Sequence, residues 1–200
     1  MSGARRRGVQ AGAARQRPRA TAPGGGTRRP KHAHRVAGAD GAERPKAARI
    51  PAATGIAVRP ARPRDLDAVI AIDATATGIE KRSYWRSVFR RYAGSREAGR
   101  QFLVAEMDGR VAGFVIGEVR DWEFGSPPCG WVFGIDVRPD ARQAGIGARL
   151  LDAICANFRR AGVATVRTLL ARDNTLVLSF FRSQGMMAGP FIPLEMHLDR

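Results

Sequence analysis

The residues best placed to do chemistry are Arg142-Gln143-Ala144-Gly145-Ile146-Gly147-Ala148, which follow the apolar stretch Ile135-Asp136-Val137 and precede a run with helical spacing. N–H groups at the start of a helix have no intrahelical partner and carry the positive end of the helix dipole. Gly145 and Gly147 remove the Cβ atoms that would keep an anion away from those groups. Arg142 adds a permanent cation whose several donors suit phosphate oxygens. The pattern therefore suits a phosphate or pyrophosphate held by backbone. It does not suit a nucleoside triphosphate, because Gly147 is followed by Ala148 and Arg149 where a P-loop needs Lys and Ser or Thr. Nor does it complete a dinucleotide fingerprint, which needs a third glycine where Leu150 stands. An ordinary strand-to-helix turn is the plain alternative.

Such a loop works only if a strand delivers it and a packed helix follows. Trp131 to Val137 reads as that strand, and Leu150, Leu151, Ile154, Cys155 and Phe158 mark the inner face of that helix, which Gly162 stops. Upstream, Ile56 to Pro60 reads as a first strand. Pro63-Arg64-Asp65 opens a helix that Gly78 breaks, and a second helix runs from about Glu80 to Ala93 with Lys81, Arg82, Arg86, Arg90 and Arg91 on its outer face. Phe102 to Met107, Asp108-Gly109 and Arg110 to Val119 read as a hairpin with a tight turn. Downstream, Val163 to Ala171 suggests an interior strand, Asp173-Asn174-Thr175 caps a helix carrying Leu178 and Phe181, and Ile192 to Leu198 suggests a closing strand. The order β-α-α-β-β-β-α-β-α-β predicts an α/β fold, a mixed central sheet flanked by helices.

Composition divides the chain. Residues 1–55 hold 13 Lys/Arg against 2 acids, whereas residues 56–200 hold 21 against 16. The first segment, rich in Arg, Ala, Gly and Pro, cannot bury enough apolar surface to offset its ordering entropy, so a disordered basic tail is expected before a domain spanning 56–200. Contact with nucleic acid is one use for that tail; a solvated or over-extended start is the plainer reading, since it holds no aromatic residue to stack on bases. Two cysteines, Cys129 and Cys155, are too few and too isolated for a disulfide framework or zinc site, so no metal is expected. No apolar run approaches a membrane span and no apolar core follows the first arginines, so no membrane contact and a cytoplasmic location are expected.

Between its strand and its helix, Arg142-x-x-Gly145-x-Gly147 resembles the acyl-CoA pyrophosphate loop of the GNAT-type N-acetyltransferases. The resemblance runs from about Val58 to the C-terminus. It is joined by Arg172 to Met186, which looks like that superfamily's Asn-containing helix ending in a Gly-aromatic pair. The resemblance implies acetyl-CoA as co-substrate and a primary amine as acceptor. It implies that Ile135, Asp136 and Val137 hold pantetheine by strand-like bonds, that residues 142–148 receive the pyrophosphate, and that Asn174 meets the cofactor. Capping α-helical N–H groups would account for Asn174 equally well.

Amine acetylation needs a neutral amine, and so a carboxylate to take the ammonium proton. Glu118, late on the strand before the cofactor strand, is the first candidate; Glu123 in the next loop is second and Asp136 third. Each could equally be a solvated or salt-bridged surface acid. Phe181 occupies the cofactor-side position where the superfamily often places a Tyr that protonates the departing thiolate. Phe has no proton to give, which leaves open a catalytically weak acyl-CoA-binding regulatory or interaction module. With no well-placed nucleophile, a direct ternary-complex transfer is expected rather than an acyl-enzyme. The acidic loop Asp121-Trp122-Glu123 suits a cationic acceptor and the arginine-rich second helix an anionic one, so the acceptor stays open, as does a homodimer.

Overall fold

The computed structural model describes residues 55–94 and 99–198. The basic tail proposed for 1–55 lies almost wholly outside the described residues. Five strands run β1 (Ile56–Pro60), β2 (Arg100–Met107), β3 (Arg110–Arg120), β4 (Cys129–Val137) and β5 (Val166–Arg167), and they lie in the sheet in that order. Pairing is antiparallel until β5, which joins β4 in parallel, so the sheet is mixed.

The expected hairpin is present. Asp108 and Gly109 both take positive φ, 52° and 73°, the pair of left-handed conformations that lets a two-residue turn follow strand twist. The sheet's residues alternate between two cores. On one face α1 (Leu66–Thr77) and α2 (Arg82–Tyr92) pack Val69, Ile72, Trp85 and Val88 against Phe102, Val104, Phe114 and Ile116. On the other, α3 (Ile146–Arg160) packs Leu150, Ile154 and Phe158 against Leu103, Val115 and Val132, joined by Phe181 from α4 (Thr175–Ser183). Strand β4 and helix α3 come close enough that a Cβ at Gly117 would sit 2.7 Å from the Trp131 carbonyl oxygen and 2.9 Å from Phe158 Cζ.

Asp65 ties the first strand to the helix entry. Its carboxylate accepts from both terminal nitrogens of Arg59, at 2.7 and 3.0 Å, and from the Arg62 N–H at 2.8 Å. Burial would raise this carboxyl, but those bonds outweigh it and hold it below the usual carboxylate range.

Two expected strands differ. The one expected over Val163 to Ala171 is only the two residues Val166–Arg167, because β4 parts from β5 beyond Trp131. Ile192 to Leu198 forms no strand among the described residues, and Ile192, Leu194, Met196 and Leu198 are all exposed. Alternating hydrophobicity there meets Pro190 and Pro193, which donate no ladder bond, and no strand of the described residues pairs with it.

Candidate active site

Strand β4 ends at Val137, and a single 3-10 turn over Pro139–Ala141 redirects the chain. Arg142 is extended, Gln143 takes φ 69° and Gly145 φ 75°, so two left-handed residues bracket Ala144 just before α3. A side chain at Gln143 makes that conformation costly, on the order of 1–2 kcal/mol, and composition gave no hint of it. Alternating backbone of this kind turns successive N–H groups into one concavity, the shape that receives an anion. The first intrahelical bond of α3 runs from Arg149 N–H to the Gly145 carbonyl at 3.1 Å. The N–H groups of Ile146, Gly147 and Ala148 precede it and have no acceptor within the helix.

These groups border a cavity of about 460 Å³, lined by Ile135, Asp136, Val137, Arg142, Gln143, Gly145, Ile146, Gly147 and Ala148, with α4 closing the far side. Ala144 does not line it but packs on the α3 core. Arg142 lies exposed at the rim, its Nε donating to the Val137 carbonyl at 3.4 Å. From α4 come Leu176, Val177, Phe180 and Gln184, none foreseen from sequence. Phe180 explains part of Gly147: a Cβ there would lie 3.0 Å from Phe180 Cε2. The spacing of Val177, Phe180 and Gln184 on one helical face was the available clue.

A bulge opens the sheet beside this cavity. Ile116 faces Gly134 and Gly117 faces Val132, so Phe133 is an extra residue on β4. The parallel pairing with β5 covers only Gly130 and Trp131, and beyond it the outer edge of β4 has no strand partner among the described residues. A free strand edge next to a helix N-terminus fits an extended amide-bearing chain that ends in a diphosphate, the chemistry of pantetheine and CoA.

Asp136 stands opposite Phe114 in the register and so on the α1/α2 face of the sheet, while Ile135 and Val137 pack on the α3 side. On that face a second cavity, of about 420 Å³, is lined by Asp136 with Asp73, Lys81, Tyr84, Trp85, Phe114, Phe133, Asn174 and Phe181 among others. Buried Asp73 accepts from Lys81 Nζ at 3.0 Å and from Trp85 Nε1 at 2.8 Å, which satisfies its charge and pins the end of α1 to α2. Asp136 is different. Burial pushes its carboxyl above the usual range, with Asp73 adding to the rise and the Val137 N–H, Arg142 and Lys81 opposing it.

The acetyltransferase (GNAT) family model matches residues 66–186, which include the bulge, the loop and α4. The chain belongs to the GNAT acetyltransferase family. It is 32% identical over 87 residues to an L-2,4-diaminobutyric acid acetyltransferase of Nocardia farcinica, covering 44% of each chain. It is 31% identical over 133 residues to a mycothiol acetyltransferase of Saccharomonospora viridis, covering 61% of this chain and 42% of that one. The chain thus spans less than half the length of these curated relatives. Among solved structures, the aminoglycoside N-acetyltransferase AAC(6')-Iy in complex with CoA superposes with a TM-score of 0.64. At 17% identity, over 74% of this chain and 98% of that one, it shows a shared fold.

Within this GNAT fold the three candidate acids have separate fates. Asp136 lines both cavities. Glu118 lines neither: its Oε2 accepts from the Tyr92 hydroxyl at 2.6 Å and its Oε1 from Arg120 Nε at 3.1 Å. Burial would raise it, yet those two bonds and the charges of Arg120 and Arg100 hold it below the usual range. Glu123 is half-exposed and 3.8 Å from Arg120. The loop Asp121-Trp122-Glu123 and Arg82, Arg86, Arg90 and Arg91 border neither cavity, whereas Lys81 of the same basic patch lines the one at Asp136. Asn174 caps α4, its Oδ1 accepting from the Val177 N–H at 3.2 Å, and it also lines the Asp136 cavity. Phe181 is buried between that cavity and the α3 core.

Proposed function

We propose that this chain transfers an acetyl group from acetyl-CoA to a primary amine, both bound at once, with residues 56–200 forming the acetyltransferase domain. The observation that carries the reading is that the two cavities share Ile135, Asp136 and Val177. A donor seated along β4 and an acceptor seated against α1 and α2 would therefore meet at one point of the strand.

Bound acetyl-CoA supplies an activated acyl carbonyl and a thiolate leaving group. The N–H groups of Ile146, Gly147 and Ala148, with Arg142, bind its diphosphate. The free edge of β4 orients the amide-bearing arm and offers backbone N–H to the acyl oxygen. Asp136 takes the proton that the ammonium must lose before its nitrogen forms the amide bond as the carbon–sulfur bond breaks. A carboxyl raised by burial is suited to that transfer near neutral pH. Cys129 is buried and lines neither cavity, and Cys155 lies on α3 with its thiol pushed up by burial, which favours direct transfer over an acyl-enzyme.

The charge of the acceptor cavity supports a cationic amine. Lys81 forms its ion pair with Asp73, leaving Asp136 as the carboxylate on that wall with no ion pair among the described residues. The diaminobutyrate and aminoglycoside enzymes similar to this chain are named for amine substrates, and those two compound classes make a rational first panel.

Free CoA thiol release, measured with acetyl-CoA against L-2,4-diaminobutyrate, sisomicin and small monoamines, tests this reading. Turnover with at least one cationic amine is expected. The buried apolar Phe181, which offers no proton to a departing thiolate, favours a second reading, a weak acyl-CoA binder. Tight acetyl-CoA binding by calorimetry with no thiol release across the panel would establish the second over the first.

A further inference from the structure

Glu118 and Tyr92 lie outside both cavities yet bear on a residue that shapes one of them. Tyr92 ends α2, and its hydroxyl donates to Glu118 Oε2 at 2.6 Å. Its ring meets Phe133 edge to face, with centroids 5.4 Å apart. Phe133 is the extra residue of the β4 bulge and lines the Asp136 cavity. The other Glu118 oxygen holds Arg120, whose guanidinium lies 4.4 Å from the centroid of Trp131, two residues before Phe133. One carboxylate thus fastens Tyr92 against the bulged Phe133 and Arg120 over the neighbouring Trp131.

The bulge needs such a brace. A bulged residue leaves the ladder locally disrupted, and Phe133 is 36% exposed, too open for core packing alone to fix its ring. We propose that Glu118 is a positioning residue: it fixes Tyr92, which holds Phe133 and with it the wall of the acceptor cavity. Its kinetic consequence rests on the acetyl transfer proposed above; its effect on the fold does not. Neither partner changes protonation in the neutral range. Burial and the Glu118 bond push the Tyr92 hydroxyl up to about 12, so it stays a donor, and the Glu118 carboxyl, held low, stays an acceptor.

The experiment has one arm without substrate and one with it. Thermal midpoints of Tyr92→Phe, Glu118→Ala and the double variant are compared first; the double is expected to lose no more than the worse single, because contacting residues do not add. Additive losses would overturn the brace even in a protein inert toward amines. With L-2,4-diaminobutyrate or sisomicin as acceptor, both single variants are expected to raise acceptor KM about fivefold, the worth of one ordinary hydrogen bond. The acetyl-CoA KM and the acidic limb of the pH profile should stay in place, and Glu118→Gln, whose amide oxygen still accepts from Tyr92, should restore the parental KM. An unchanged acceptor KM in both single variants would show that Phe133 does not depend on the brace. A drop of about a hundredfold in kcat for Glu118→Gln, with loss of the acidic limb, would make Glu118 the base instead.

Discussion

The two cavities that meet at Asp136 are made of different material. Toward α3, the features suited to an anion and an extended chain are backbone: the opening N–H groups of the helix, the left-handed turn at Gln143 and Gly145, and the edge of β4 without a strand partner among the described residues. Toward α1 and α2, the wall is side chains from separate elements, Asp73 from α1, Trp85 from α2, Phe114 from β3 and Asp136 from β4. A backbone site needs only that nothing fills the space around it. A side-chain site depends on how two helices pack across a sheet, so its selectivity can change while the first site stays intact. Substitutions on one side should therefore move one ligand and spare the other.

Asp136 lies on the boundary and carries the largest expected effect. Asp136→Asn should lower kcat/KM for the amine by about a hundredfold or more, as loss of a positioned base does, while the calorimetric Kd for acetyl-CoA stays within about twofold. The sign of the pH dependence follows from burial. A raised carboxyl must lose its proton before it can act, so kcat/KM should climb with pH through a limb above the usual carboxylate range. In Asp136→Asn that limb should vanish. If acetyl-CoA affinity collapsed in parallel, the two cavities would not be separable.

Next in size are changes on the backbone side. Arg142→Ala removes a charge-assisted contact worth ~1.5–3 kcal/mol, so acetyl-CoA binding should weaken by about tenfold or more, with acceptor KM unmoved. Gly147→Asp should do at least as much, because it brings a negative charge to the helix start and a Cβ 3.0 Å from Phe180 Cε2. Calorimetry on both variants reads the loss. Unchanged affinity in the pair would remove the loop from the binding site.

The same division explains what could be seen in advance. The loop, its strand and its helix are contiguous, so Arg142, Gly145 and Gly147 declare themselves in one short stretch. So does the hairpin at Asp108-Gly109. The acceptor wall has no such signature: Asp73 reads as a polar residue on an amphipathic helix until Lys81 and Trp85 are seen to satisfy it. The relative placement of the three acids was hidden for a related reason. Glu118 and Asp136 share a sheet face, but Asp136 faces Phe114, four residues and roughly 13 Å along β3 from Glu118. Only pairing register reveals that offset, and Phe133 shifts the register by one. Phe180 was hidden by its neighbour, since an adjacent Phe pair does not say which ring faces the core. At the C-terminus, alternation from Ile192 to Leu198 mimicked a strand, but pairing needs a second strand and donors that Pro193 lacks.

The smallest effect is expected at Phe181, where the two materials overlap. Its ring is 3% exposed, packed in the α3 core and bordering the Asp136 cavity, so Phe181→Tyr adds one hydroxyl at a place already shaped for an aromatic ring. The substitution keeps the packing and costs little if the hydroxyl reaches the cavity rather than the core. A new phenol there could protonate a departing thiolate, which speeds the reaction only when that departure is slow. With deprotonation of the amine by Asp136 as the slow step, kcat should stay within about twofold of the parent, and the acidic limb should not move. A rise of about tenfold or more, measured by thiol release at saturating amine, would instead place the slow step at the leaving group. The deficit at Phe181 would then set the rate, and the acceptor side would control selectivity without controlling speed.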